Sequence, residues 1–91
     1  MHTISAKLTL LIPHSESLKD KRQVRRSLLD GARHKFNASF AEVDTQDSRQ
    51  ILTIGIALVS NEFHHAQRCL DEIIRYIEET VVAELVDVEL Y

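Results

Sequence analysis

Ninety-one residues, 44% of them hydrophobic and 27% charged, hold one packed core and no second one, so residues 1–91 are expected to form a single domain. The longest apolar run, Ile51 to Val59, is too short to cross a bilayer, and the amino end lacks the basic and apolar regions of a secretion signal, which makes the cytoplasm the expected compartment. The net charge of −3 conceals an asymmetry: His14 to Phe36 carries seven basic residues against three acids, whereas the rest of the chain carries four against eleven.

In chain order, Ile4, Ala6, Leu8, Leu10 and Ile12 alternate with Thr3, Ser5, Lys7, Thr9 and Leu11, the period-two signature of a strand that Pro13 ends. Ser17 is the expected N-cap of a first helix, with Asp20 in a capping-box-like place. Leu18, Val24, Leu28, Leu29, Ala32 and Phe36 then gather on one side at helical spacing. Gly31 costs such a helix about 1 kcal/mol relative to alanine, which predicts either a packing reason for it or fraying beyond it. Asn37 is the expected stop. Ala38 to Val43 reads as a short second strand, and Asp44 to Gln50 as a polar hairpin loop.

A third strand follows, with Leu52, Ile54, Ile56 and Leu58 on its large-residue face and Thr53, Gly55 and Ala57 on a small one. Ser60 or Asn61 is expected to cap a second helix whose stripe runs Phe63, Ala66, Leu70, Ile73, Ile74, Ile77 and Val81. After Thr80 the period returns to two, placing Val86, Val88 and Leu90 on one face of a last strand. Four strands and two amphipathic helices in this order share a core when both helices cover one face of a four-stranded antiparallel sheet, the ferredoxin-like α+β arrangement.

The basic segment is the feature most open to a functional reading. On a helical wheel from Leu18, Lys19, Arg22, Arg26 and Arg33 occupy one narrow sector beside the apolar stripe. Lys21 and Arg25 lie nearer the apolar arc itself, at the amino end, where the helix could project past the sheet. These six are the candidate phosphate contacts, since guanidinium and ammonium groups meet nucleic-acid backbone without reading sequence. The same pattern suits a plain solvated face balanced by acids elsewhere. Against that stands the placement of Lys19, Lys21 and Arg22 in the first turn, where the helix dipole disfavours cations by about 0.3–1 kcal/mol each, because local rules are broken more often at functional sites.

Other chemistry finds little support. The sheet face away from the helices offers Thr9, Leu11, Thr53, Gly55, Ala57 and Val59, without an aromatic for base stacking, and is instead a candidate for homodimer formation or a small-ligand regulatory role. The loop Gln46 to Gln50 and the turn Ser60-Asn61 are polar, and solvation and capping account for them. His2, His14, His34, His64 and His65 lack metal-ligand spacing, and Cys69 flanks the second helical stripe as a small hydrophobe. No nucleophile–base spacing or phosphate loop stands out, so neither enzyme activity nor a cofactor or metal is expected.

Read together, Ser17-Leu18-Lys19-Asp20-Lys21-Arg22, Ser27-Leu28-Leu29-Asp30, Phe36-Asn37-Ala38-Ser39, Ala41-Glu42-Val43, Gln46-Asp47 and Val59-Ser60-Asn61 resemble the bacterial DUF503 (YlxP-like) family. The resemblance implies a ferredoxin-like fold. Because members of that family look like neighbours of translation-initiation and ribosome-maturation genes, it also implies an RNA- or ribosome-associated role. Two departures stand out: Arg49 occupies a place where the family pattern often has tryptophan, and Gly31 one where a polar or basic residue is more usual.

Overall fold

A computed structural model describes residues 1–80 and 83–91. The elements are β1 (His2–Leu11), α1 (Leu18–Lys35), β2 (Ser39–Glu42), β3 (Ile51–Ser60), α2 (Phe63–Thr80) and β4 (Glu84–Leu90). They form one antiparallel sheet in the order β2-β3-β1-β4, with both helices on the same side. This is the ferredoxin-like architecture that the periodicity predicted.

The long central pair β1–β3 runs in unbroken register from His2 opposite Ser60 to Leu11 opposite Ile51. That register puts Ala6, Leu8 and Leu10 beside Ile56, Ile54 and Leu52 on the helix-facing side, where all six are buried. Phe40 joins from β2, Leu28, Leu29 and Ala32 from α1, and Ala66, Leu70, Ile73 and Ile77 from α2. Each fully buried leucine or isoleucine contributes about 1.5–3 kcal/mol, so this cluster dominates the stability. The expected place of Val81 in the α2 stripe lies outside the described residues.

Two helix boundaries and one strand face differ from the sequence reading. Helix α1 ends at Lys35 with Phe36 as its C-cap, donating its N–H to the Ala32 carbonyl, one residue before the expected stop. The Ser60 hydroxyl accepts from the Glu62 amide and so supports the turn before α2. The first helical bond, from the Ala66 N–H, goes to the Glu62 carbonyl. In β4 the pairing skips Val86: Leu85 lies opposite Leu10, Asp87 opposite Thr9 and Val88 opposite Leu8. Leu85, Val88 and Leu90 therefore share the helix-facing side, and Val86 is the extra residue of a bulge.

Gly31 has a packing reason. A β-carbon there would collide with the Tyr76 hydroxyl, so the glycine lets α2 lay that ring across α1. The Phe36 ring meets Tyr76 edge-on at 5.5 Å, and the Lys35 ammonium lies 5.1 Å from the Tyr76 centroid. The helix continues past the glycine without fraying.

Candidate nucleic-acid interface

The first turn of α1 is held by two local hydrogen bonds. The Ser17 hydroxyl accepts from the Asp20 N–H at 3.1 Å, and the Asp20 carboxylate accepts from the Glu16 N–H at 3.1 Å. These two bonds satisfy the Asp20 and Glu16 amides at the helix start, and the packing of Leu28, Leu29 and Ala32 into the core sets the rotation of the helix. With that rotation, Lys21 falls on the buried side and Lys19 and Arg22 fall outside.

Lys21 is corrected by the structure. Its side chain is 1% exposed and lies inside the fold, against Glu42 and the loop between β2 and β3. Its ammonium sits 2.7 Å from the Glu42 carboxylate and donates to the Ser48 carbonyl at 2.6 Å and to the Thr45 carbonyl. An ammonium has three donors, and all three are spent internally. Lys21 is therefore an anchor for the β2–β3 loop and makes no phosphate contact from this position.

Glu42 is the centre of the network. It lies opposite Ile54, on the helix side of the edge strand, and its side chain is 4% exposed. Besides Lys21 it accepts from the Arg25 guanidinium at 3.1 Å and from the Thr45 hydroxyl at 3.1 Å. Burial pushes its carboxyl upward, but the Lys21, Arg25 and Thr45 hydrogen bonds outweigh that and hold it below its ordinary value. The Thr45 hydroxyl also accepts from the Thr53 amide at 2.9 Å, tying the loop to β3.

Arg33 is committed in part. Its Nη2 donates to the Phe40 carbonyl at 2.8 Å on the outer edge of β2, and its Nη1 lies 3.9 Å from Asp30. Arg25 likewise spends part of its donor set on Glu42, with its side chain 30% exposed. The three cations left outward are Lys19, Arg22 and Arg26, at the spacing of one helical stripe. Among the described residues, none of the three has an acid within ion-pair distance. Beside Arg26, a shallow groove of about 360 Å³ runs between α1 and β2, where Arg25 and Arg33 also line it together with Asp30 and Glu42.

The loop side chains singled out by polarity are used within the fold. Gln46 donates to the Glu42 carbonyl at 3.3 Å, and Gln50 donates to the Ser15 carbonyl at 3.2 Å. Asp47 and Asn61 are exposed. Sequence reasoning passed over Glu42 and Thr45, which organise the site. Their signal was faint: an acid on the inward register of a strand whose neighbour Phe40 is apolar.

On the open sheet face, the Lys7 ammonium pairs with Asp44 at 2.6 Å, and Val43 lies over Gly55, filling the space its missing side chain leaves. Thr53, expected on an open surface, is buried. Tyr91, just past β4, adds one aromatic beside this face, its hydroxyl donating to Glu89 at 2.5 Å. Among the described residues, no cluster of three or more His, Cys, Asp or Glu converges on a metal site, and no helix is long and apolar enough to cross a membrane. Cys69 packs against the core with its sulfur 3.5 Å from His65 Nε2.

Three comparisons bear on this geometry. The uncharacterized protein YlxP of Bacillus subtilis (strain 168) is 33% identical over 73 residues, spanning 80% of this chain and 79% of that protein. A de novo designed protein with a ferredoxin fold superimposes with a TM-score of 0.66 at 14% identity, over 99% of this chain and 85% of the other, a likeness of fold alone. Residues 3–90 match the family described as "Protein of unknown function (DUF503)". With nearly its whole length matched, the chain belongs to the DUF503 family.

Proposed function

We propose that this protein is a non-enzymatic RNA- or ribosome-associated protein that meets the phosphate backbone through the outer face of α1. The observation that carries the reading is the stripe of Lys19, Arg22 and Arg26, three exposed cations without acid partners among the described residues. Arg25 and Arg33 flank it as partly held guanidiniums that line the groove. A first turn that carries two exposed cations against the dipole is better explained by an anionic partner than by stability, which it lowers. The open sheet face supports backbone contact over base reading, since a lone tyrosine tied to a glutamate makes no stacking platform.

Cosedimentation with ribosomal subunits across a salt series tests the reading. Binding at low salt that falls steeply as salt rises, and that Arg22→Glu with Arg26→Glu weakens, is the expected result. No binding of the native protein at low salt overturns it. A second reading, self-association through the open sheet face, draws on the shallow concavity of about 490 Å³ bordered by Ala41, Val43, Gly55 and Ala57. Light scattering of the native protein and an Ala57→Glu variant decides it, a monomer in both cases counting against association.

A further inference from the structure

The two edges of the sheet are finished differently. Along β2, the outward carbonyls of Phe40 and Glu42 accept from Arg33 and Gln46, so the chain's own side chains occupy that edge. Edge strands left open are templates for another strand, and this is one way of closing them. Strand β4 carries no such cover among the described residues. The Tyr91 amide donates to the Ser5 carbonyl, which makes Ser5–Tyr91 a hydrogen-bonded pair. By the alternation of an antiparallel ladder, the N–H and C=O of Val88 and Leu90 then point away from β1 into the open.

The side chains of the same strand are sorted by face. Glu84, Asp87 and Glu89 lie opposite Leu11, Thr9 and Lys7 on the side away from the helices. Leu85, Val88 and Leu90 lie on the helix side, where Leu90 is 68% and Val88 39% exposed. Leu90 borders a groove of about 500 Å³ between β1 and α2 that Ile4, Phe63 and Leu70 also line, with Phe63 45% exposed. An open ladder edge, an apolar row beside a groove and an acidic row on the opposite face are thus carried by seven consecutive residues.

We infer that β4 is a docking edge for an extended segment of another protein in which lysine or arginine alternates with valine, isoleucine or leucine. Such a segment adds a fifth strand: its backbone pairs with Val88 and Leu90, its apolar side chains continue the row toward Phe63, and its cations face Asp87 and Glu89. The acids select against the other obvious occupant. A second copy of β4 paired antiparallel about Val88 would set Asp87 opposite Glu89, and like charges directly opposite are destabilising. The edge therefore repels itself while it attracts a basic strand. This surface shares no residue with Lys19, Arg22 or Arg26, so it stands or falls independently of the RNA-facing reading.

Amide hydrogen exchange followed by NMR, with a blocked peptide of about eight residues alternating lysine and valine, provides the test. Exchange at the Val88 and Leu90 amides is expected to slow by about tenfold or more on peptide addition, and a glutamate–valine peptide is expected to leave it unchanged. Val88→Pro removes the outward N–H without touching the ladder to β1, and is expected to abolish the protection. Asp87→Lys with Glu89→Lys should transfer the preference to the glutamate–valine peptide, and this variant decides the matter if the proline one does not fold. Unchanged exchange at both amides with millimolar peptide overturns the inference. So do protection that survives Val88→Pro, failure of the charge-reversed variant to switch peptides, and protection that appears with protein concentration alone.

Discussion

At the scale of single residues, Lys21 shows how a motif residue can be mistaken for a ligand contact. Its charge is fully desolvated and fully bonded, so removing it strands the Glu42 carboxylate with Arg25 and Thr45 and leaves the Thr45 and Ser48 carbonyls without their donor. Breaking a buried pair from one side costs about 3–5 kcal/mol, and Lys21→Met should lose that much in urea denaturation. Glu42 sets a pH dependence of known sign. Its folded-state carboxyl lies below its ordinary value of 4.5, so its contribution to stability is complete above about that pH and is lost as pH falls through the folded value. The stability gap between the native protein and Glu42→Gln should therefore be flat at neutral pH and close only below the ordinary carboxylate range. A gap that closes near neutrality would remove Glu42 from the centre of the network. Half of this was legible beforehand: the helical wheel put Lys21 against the apolar arc. Its partner was not, because Glu42 arrives from a distant strand and nothing local marks the pairing.

At the scale of elements, legibility followed the regularity of the period. Strand β1 holds one period throughout, and the structure reproduces its faces as read. Strand β3 buries Leu52, Ile54, Ile56 and Leu58 but also Thr53, and α2 buries Ala66, Leu70, Ile73 and Ile77 but leaves Phe63 exposed. Strand β4 does not hold one period, since the bulge at Val86 exchanges the two faces partway along, and a period count has no means of sensing an unpaired residue. Gly31 was flagged by its cost alone, and only the second helix reveals the compensation. The contact makes a double-mutant prediction. With Tyr76→Phe the colliding oxygen is gone, and the nearest ring atom lies 3.5 Å from an added β-carbon, an ordinary contact distance. Gly31→Ala should therefore stabilise the Tyr76→Phe protein by about 1 kcal/mol, the usual helix advantage of alanine over glycine. In the native background the same substitution should gain nothing, or lose, because Tyr76 must move. Thermal or urea unfolding of the four proteins measures the coupling, and additivity of the two changes would rule out the close approach.

At the scale of the whole molecule, charge is separated along the fold, with the outward cations on α1 beside the β2 edge and an acidic row on β4 at the opposite edge. An electric field of this kind orients an approaching polyanion toward one side. On the proposed RNA-facing reading, the number of outward cations sets how many phosphate contacts are expected. Six cations at a phosphate backbone give a salt slope of about 4–5 in log–log form, whereas the three outward cations give about 2–3. A fluorescence titration of RNA over a salt series should return the smaller value. Lys19→Gln should lower it by a little under about one unit, since each phosphate contact contributes about 0.7–0.9. Lys21→Met, measured where that variant is still folded, should leave the slope unchanged, because its ammonium faces Glu42 and the loop carbonyls. A slope near zero would show that attraction to phosphate is not what holds the complex. A fall after Lys21→Met equal to that after Lys19→Gln would mean that α1 rotates or shifts on binding to bring the buried lysine out.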